Sequence, residues 1–127
     1  MLYKTTIGLV LILFAILPQT VISQELEIDQ LSPQAYAQHR VVEVWGEQQF
    51  YYFEAVVMKE SKWIPTAQNP VSSAYGIPQF LDSTWDTVGC VKTDDAHIQV
   101  DCMIKYIDER YGTPQKALNF HKENNYY

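Results

Sequence analysis

The dipeptides Ser32-Pro33 and Thr113-Pro114 constrain the fold of this chain most, because each predicts where a helix begins. A hydroxyl side chain caps the free N–H groups of a first helical turn, and proline is favoured at the first helical position. The first dipeptide predicts a helix over 33–45 that Gly46 ends, and the second predicts a helix through about His121. The chain is therefore expected to be mainly α-helical.

A second helix is expected over 47–62, and Pro65 is expected to stop it. The segment 65–78 that follows contains three prolines, two serines and Gly76. This composition is typical of a loop, and a loop of this length inside a compact domain is often functional. We expect an ordered loop or a small β-hairpin that flanks a groove.

Two more helices are expected between this loop and Thr113. Asp82 is predicted to cap a short helix that closes near Gly89, and Thr93 or Asp94 is predicted to cap a longer helix that ends at Gly112. The apolar face of the longer helix is expected to consist of Ile98, Cys102, Met103, Tyr106 and Ile107.

The N-terminal segment has the pattern of a secretory signal. Lys4 precedes an apolar run over 7–17, and Val21-Ile22-Ser23 presents small or medium residues to a signal peptidase. The run is shorter than the roughly 20 residues that a helix needs to cross a bilayer. We expect a signal peptide over 1–23 and a periplasmic or secreted domain over 24–127 with no stable membrane span, a retained signal anchor being the alternative.

The charge of the chain excludes two classes of partner. The formal net charge is −6, and loss of Lys4 with the leader would make it −7. An acidic protein has no electrostatic reason to bind nucleic acid or anionic lipid. It is also not attracted over long distances to an anionic cell wall, so binding there would need a shaped groove. We expect the protein to act as a monomer.

Cys90 and Cys102 are the two cysteines of the chain, and an oxidising compartment favours a disulfide between them. Two free, buried thiols are the alternative. No second cysteine pair or nearby histidine completes a tetrahedral set of ligands, so no zinc site is expected.

Glu60 is the most informative residue, because it falls on the apolar face of the second predicted helix. Phe53, Val56 and Val57 precede it by seven, four and three positions and share its side of the helix. Loss of water and the negative C-terminal end of the helix both raise the pKa of a carboxyl group there. Such an acid can donate a proton to a glycosidic oxygen near neutral pH. The alternative is a boundary glutamate that turns to solvent or pairs with a lysine.

Side chains suited to sugars follow this acid along the chain. Gln79 offers both a donor and an acceptor, which suits the amide and hydroxyl groups of an N-acetyl sugar. Tyr75, Trp63 and Trp85 can stack on sugar faces, with core packing as the alternative for the two tryptophans.

This ordered set of residues resembles the transglycosylase SLT family of the lysozyme superfamily. The family signature joins a catalytic glutamate and a serine to a later Gly-Leu-Met-Gln-like segment. Glu60-Ser61 matches the first part, and Ala74-Tyr75-Gly76-Ile77-Pro78-Gln79 matches the second, with isoleucine and proline as variants. Further matches within 50–127 are Ser83-Thr84-Trp85, Arg110-Tyr111-Gly112-Thr113-Pro114, Ala117-Leu118 and the terminal aromatic pair.

The resemblance implies an α+β lysozyme-like fold and a lytic transglycosylase. Glu60 would protonate the oxygen between N-acetylmuramic acid and N-acetylglucosamine. It would then accept a proton from the muramic C6 hydroxyl as a 1,6-anhydro ring closes. Ser61 would orient the glutamate, and Ser73, Tyr75 and Gln79 would hold the sugars of the peptidoglycan strand. A single carboxyl group suffices because the substrate supplies its own nucleophile, whereas glycoside hydrolysis usually takes two. The implied mechanism requires no metal and no cofactor.

One position departs from the family pattern. Many members carry a tyrosine that contacts the catalytic glutamate, and His121 stands at that position here. A histidine can hydrogen-bond the carboxyl group, but its charge would lower the pKa of Glu60. A surface histidine without a role is the alternative. Two other functions therefore stay open, namely a hydrolytic lysozyme of the same fold and a non-catalytic glycan-binding module.

Overall fold

The computed structural model describes residues 27–127, and the predicted signal peptide over 1–23 lies outside them. Residues Ser32–Tyr127 form one compact unit, and the described residues before Ser32 do not belong to it. The helices of the larger unit are α1 (Pro33–Trp45), α2 (Glu47–Glu60), α3 (Asp82–Val88), α4 (Ala96–Arg110) and α5 (Pro114–Asn124). The prediction of a mainly helical fold is confirmed. Within residues 27–127, no helix combines the length and the hydropathy that crossing a membrane requires.

Ser32 and Thr113 cap α1 and α5 as predicted. The Ser32 hydroxyl accepts a hydrogen bond from the Ala35 amide at 3.2 Å, and the Thr113 hydroxyl accepts one from the Lys116 amide at 3.3 Å. A proline occupies the first turn of each helix, where its missing N–H costs nothing. These local signals mark where the first and last helices of the unit begin.

The predicted boundaries of α3 and α5 each need a correction. Leu81 precedes the first turn of α3, so Asp82 is not the cap, and its carboxylate instead bonds the Lys92 ammonium at 2.9 Å. Helix α5 runs past the predicted end at His121 and stops at Asn124. The residue after Asn124 adopts a left-handed conformation, which ends the helix.

Helix α4 begins one or two residues later than predicted. Its cap is Asp95, whose carboxylate accepts from the Ile98 amide at 3.1 Å, and not Thr93 or Asp94. The Thr93 hydroxyl accepts from the Asp95 amide at 3.1 Å and so stabilises the turn before the helix. Three adjacent residues can each cap a helix, and the tertiary position of the preceding segment selects among them.

The prediction that α2 continues to Lys62 is wrong, because the helix ends at Glu60. Ser61 and Lys62 both donate their backbone N–H to the Val57 carbonyl, at 2.9 and 3.1 Å. Lys62 and Trp63 are both left-handed, with φ of 52° and 65°, and they turn the chain sharply away from the helix axis. Glu60 is therefore the last residue of α2, and a sharp turn of the chain follows it directly.

Helix α2 lies at the centre of the packing, against α1 on one side and α5 on the other, and α1 also packs on α4. The fully buried side chains of α2 are Phe53, Val56 and Val57. Helices α1 and α4 are joined by polar contacts as well, since the Asp101 carboxylate accepts from the Tyr36 hydroxyl at 2.8 Å and from the Arg40 guanidinium at 3.0 Å. Contacts with α1 and α5 hold α2 in place.

The connection between α2 and α3 is a long loop, as predicted, but no hairpin is seen in it. Between residues 61 and 81 the structure has only isolated antiparallel bridges, from Tyr75 to Gln68 and to Phe80. Pro70 and Pro78 have no N–H to donate, so a regular ladder of hydrogen bonds does not extend through this segment.

Gln99, which is fully buried on α4, fixes this loop against the helices. Its amide oxygen accepts from the Ile77 N–H at 2.8 Å, and its amide nitrogen donates to the carbonyls of Pro65 and Thr93 at 2.8 and 2.6 Å. A Cβ atom at Gly76 would lie within 2.9 Å of the Gln99 side chain. The backbone at Gly76 also has φ +79°, which favours glycine. Glycine is therefore required for the loop to approach α4.

The predicted disulfide between Cys90 and Cys102 is confirmed. It joins the segment that follows α3 to the middle of α4. The Lys105 ammonium of α4 also donates to the Val88 carbonyl at the end of α3, at 2.6 Å. The short helix α3, which is too short to be stable alone, is thus held on α4 by a covalent bond and a charged hydrogen bond.

Candidate active site

A cleft of about 360 Å³ lies beside the C-terminal end of α2. The long loop, the start of α3, the last turns of α4 and the segment 126–127 form its other walls. The lining residues that matter for its chemistry are Glu60, Asn69, Gln79, Tyr106, Arg110 and Tyr127. Its volume lies in the range of ordinary ligand sites.

Glu60, at the wall of this cleft, is in direct contact with His121, which does not itself line the cleft. The Glu60 Oε1 atom lies 2.7 Å from the His121 Nε2 atom, and the two side chains are 17% and 12% exposed. Helix α5 packs against α2, and this packing brings the two residues together although they are far apart in sequence. His121 is therefore not a free surface histidine, and its ring holds one oxygen of the carboxyl group.

Burial raises the pKa of the Glu60 carboxyl group above that of an exposed glutamate. The charge of a protonated His121 and its hydrogen bond act in the opposite direction and lower this pKa. Burial is the larger influence, so the net shift is upward. Glu60 consequently holds its proton at a pH where most surface glutamates have lost theirs.

Tyr127 adds a neutral phenol next to this pair. Its hydroxyl donates to the Pro78 carbonyl at 2.9 Å, and its backbone carbonyl accepts from the Tyr106 hydroxyl at 3.0 Å. Burial and the negative charge of Glu60 both raise the pKa of Tyr127 well above 10, so the phenol stays protonated. The sequence predicted only an aromatic pair at this end of the chain, and the neutral acid beside Glu60 was missed.

Gln79 lines the cleft, and its backbone is left-handed with φ of 50°. Its side-chain nitrogen donates to the Ala67 and Gly76 carbonyls at 2.8 and 3.0 Å. These two bonds fix the amide and use both of its N–H groups. The amide oxygen is the remaining polar atom, so Gln79 can offer an acceptor to a hydroxyl or amide group in the cleft.

Ser61 and Ser73 hold the loop and do not line the cleft. Ser61 is buried, and its hydroxyl donates to the Ile77 carbonyl at 2.9 Å, which attaches the end of α2 to the loop. The Ser73 hydroxyl accepts from the Asp82 amide at 3.1 Å and so satisfies a free N–H at the start of α3. Ser61 was expected to orient the glutamate, and Ser73 was expected to bind a sugar. Both hydroxyls instead form hydrogen bonds with backbone groups.

Tyr75 is also absent from the cleft lining. Its hydroxyl donates to the Asp94 carboxylate, and the Lys92 ammonium lies 5.0 Å from the centre of its ring. The hydrogen bond to Asp94 raises the pKa of Tyr75. Both its ring and its hydroxyl interact with the segment before α4. Tyr75 therefore lies outside the group formed by Glu60, Gln79 and His121.

Arg110 is a cleft residue that the sequence presented only as part of a motif. Its guanidinium lies 5.3–5.6 Å from the ring centres of Tyr106, Tyr111 and Phe120, and it donates to the Tyr106 hydroxyl. One signal could have drawn attention to Arg110. It is a cation in the last turn of a helix, and several aromatic residues follow it in the sequence.

The lining of the cleft thus combines a carboxyl group with a raised pKa, phenols, side-chain amides and a guanidinium, and His121 contacts the carboxyl group without itself lining the cleft. This set can move a proton and can bind a neutral or anionic polar ligand. No family model, no curated protein and no solved structure matches this chain.

Proposed function

We propose that the protein is a lytic transglycosylase, which cleaves the β-1,4 bond between N-acetylmuramic acid and N-acetylglucosamine in peptidoglycan. The observation that carries this proposal is the environment of Glu60, a partly buried acid with a raised pKa at the wall of a cleft. Among the described residues that line the cleft, it is the sole carboxyl side chain. The resemblance of Glu60-Ser61 and the 74–79 segment to the transglycosylase SLT family supports the same activity.

In the proposed reaction Glu60 first acts as an acid. It gives its proton to the oxygen that leaves with N-acetylglucosamine, while the bond from this oxygen to C1 of the muramic sugar breaks. The C6 hydroxyl oxygen of the same muramic sugar then bonds to C1, and its proton passes to the Glu60 carboxylate. The products are a free 4-hydroxyl on one strand and a 1,6-anhydro end on the other, and Glu60 ends with the proton that it needs for another cycle.

An internal nucleophile suits a cleft with one acid. Inverting and retaining hydrolases both place a second carboxylate across the scissile bond, either to activate water or to attack the sugar. The other side chains that line the cleft are neutral or cationic, and they include Asn69, Gln79 and Arg110. This composition favours transglycosylation over hydrolysis.

The neighbours of Glu60 have supporting roles in this proposal. His121 fixes one carboxyl oxygen and leaves the other for the substrate. Tyr127, whose phenol stays protonated, adds no second negative charge beside the Glu60 carboxyl group. The amide oxygen of Gln79 is suited to a hydroxyl or N-acetyl group. We also propose a lysozyme-like fold and export to the compartment that contains peptidoglycan, for which the leader-like pattern and the disulfide are the supporting observations.

The test compares wild type, Glu60→Gln and Glu54→Gln on purified peptidoglycan. Glu54 lies on the same helix outside the cleft, so it controls for loss of one negative charge on α2. Glu60→Gln is expected to lower the rate by about 10²- to 10⁴-fold, the range for loss of a general acid, whereas Glu54→Gln should behave as wild type. Mass spectrometry of the wild-type products should show anhydro ends, which are lighter than hydrolysed ends by one water.

Three results would contradict parts of the proposal. No cleavage by the wild type would leave a glycan-binding module. Equal cleavage by wild type and Glu60→Gln would show that another residue is the acid. Products that carry the full mass of added water would identify a hydrolytic lysozyme.

A further inference from the structure

Arg110 is the sole cationic side chain among the described residues that line the cleft. It is exposed, and no carboxylate within residues 27–127 forms an ion pair with it. Arg40 and Lys92 are paired with Asp101 and Asp82, whereas Arg110 keeps its charge unpaired at the cleft. Although the protein has a net charge of −6, its cleft therefore offers an unpaired guanidinium to an anionic ligand.

The guanidinium is held in place without being neutralised. The rings of Tyr106, Tyr111 and Phe120 surround it at 5.3–5.6 Å, and one of its nitrogens donates to the Tyr106 hydroxyl. Aromatic faces attract a cation but leave its net charge intact. An arginine has five N–H donors in a rigid plane, so several donors remain for a ligand. This geometry suits a planar, two-oxygen anion, which a guanidinium binds through two parallel hydrogen bonds.

We propose that Arg110 binds a carboxylate of the glycan and selects muramic-acid-containing strands over uncharged N-acetylglucosamine polymers. This proposal rests on the proposed function. The sugars on the two sides of the cleaved bond differ in one charged feature, because muramic acid carries a lactyl group. Its carboxylate is free in strands without peptides, whereas stem-bearing strands carry carboxylates on the peptide instead. Arg110 would bind either carboxylate and thereby determine which sugar occupies its side of the cleft.

Binding to the inactive Glu60→Gln protein tests the proposal without turnover. The ligands are a peptide-free muramyl tetrasaccharide, the same molecule with methylated lactyl carboxylates, a stem-peptide-bearing tetrasaccharide and an N-acetylglucosamine tetramer. Each is titrated against Glu60→Gln alone and in combination with Arg110→Gln, Arg110→Lys or Lys116→Gln. Lys116 is exposed and outside the cleft, so its substitution controls for the change in net charge. Circular dichroism verifies that every variant is folded.

Arg110→Gln is expected to weaken binding of a carboxylate-bearing ligand by about tenfold or more, the effect of one charge-assisted hydrogen-bonded pair. Binding of the N-acetylglucosamine tetramer should change less than about twofold, because it offers no partner for the charge. Arg110→Lys should keep part of the discrimination, since it keeps the charge but loses the planar fork. Lys116→Gln should leave all affinities unchanged.

The ligand set also identifies the carboxylate. If methylation weakens binding as much as Arg110→Gln does, the partner is the lactyl carboxylate. If the loss appears with the stem-bearing ligand alone, the partner is on the peptide. An equal loss for charged and uncharged ligands, or no loss for either charged ligand, overturns the proposal while leaving the acid role of Glu60 in place. Failure of Glu60→Gln to bind any of the glycans would instead reject the proposed function.

Discussion

Burial makes the Glu60 carboxyl group harder to ionise in the folded protein than in the unfolded chain. Since its folded pKa is raised above 4.5, the folded state binds this proton more tightly than the unfolded state does. The stabilising contribution of the proton is therefore present below about pH 4.5 and is lost as the pH rises through the folded pKa. Above that pH the folded protein holds an unfavourable buried charge.

Glu60→Gln removes this charge while keeping the size of the side chain and its ability to hydrogen-bond His121. We expect the variant to be more stable than wild type at pH 8, and we expect the difference to shrink toward pH 4. Urea unfolding at both pH values measures the change in the free energy of unfolding. Glu54→Gln, on the same helix, should show no such pH-dependent gain. A Glu60→Gln protein that is less stable than wild type at pH 8 would mean that the buried charge is fully compensated.

His121 determines how far the pKa of Glu60 can rise. The charge and the hydrogen bond of this histidine lower that pKa, so their removal should raise it further. His121→Phe is expected to move the basic limb of the kcat/KM profile to higher pH, because that limb reports loss of the proton from the free enzyme's acid. His121→Asn, which retains a neutral donor, should cause a smaller shift. A limb that moves to lower pH would contradict this account of the pair.

The sequence predicts those features of the site that depend on the geometry of a single helix. Glu60 shares a face with Phe53, Val56 and Val57 because of helical geometry alone, and the structure buries all three apolar residues. Tyr127 and Arg110 could not be assigned in this way. Their places in the cleft depend on how α4 and the segment after α5 pack against the loop, which no local pattern encodes.

At the scale of helices and loops, Gln99 connects α4 to the loop that forms one wall of the cleft. Gln99→Ala would leave the Ile77 N–H and the carbonyls of Pro65 and Thr93 without their present partners, and it would create a cavity. We expect a loss of about 2–4 kcal/mol in the free energy of unfolding. Urea denaturation measures this loss. Gln48→Ala, on the exposed surface of α2, is the matched control and should change stability by less than about 0.5 kcal/mol.

Glycan cleavage should be more sensitive than stability to the same Gln99 substitution. Gln79 and Asn69 reach the cleft from the loop that Gln99 holds, so a loosened loop displaces groups at the wall. Under conditions where Gln99→Ala is fully folded, its rate should still fall, as expected when site geometry relaxes by a fraction of an ångström. A folded variant with an unchanged rate would show that this loop has no part in positioning the substrate.

The helices themselves were predictable where a cap or a stop is encoded locally, as at Ser32 and Thr113. The end of α2 was not, because Lys62 and Trp63 adopt left-handed conformations without a glycine to signal them. Tertiary contacts stabilise that turn, including the packing of the Trp63 ring, whose centre lies 6.4 Å from that of Phe53. The loop was predictable from its prolines, but its irregular course depends on the distant side chain of Gln99.

At the scale of the whole molecule, charge opposes binding to the proposed substrate. The protein has a net charge of −6, and peptidoglycan carries carboxylates, so the two repel each other at low ionic strength. Arg110 can attract a carboxylate only over a short distance, because exposed charges are screened beyond about 10 Å at 0.1 M salt. Approach and final binding should therefore respond to salt in opposite directions.

The rate of peptidoglycan cleavage is thus expected to pass through a maximum as salt increases. Between about 10 and about 150 mM NaCl, screening of the long-range repulsion should raise the rate severalfold, while the close contact with Arg110 is less affected. At higher concentrations the rate should fall as that contact weakens as well. In Arg110→Gln the fall should be reduced, because the screened interaction is missing, while the initial rise should remain. Cleavage that slows steadily from the lowest salt would mean that local attraction outweighs the net charge of the molecule throughout.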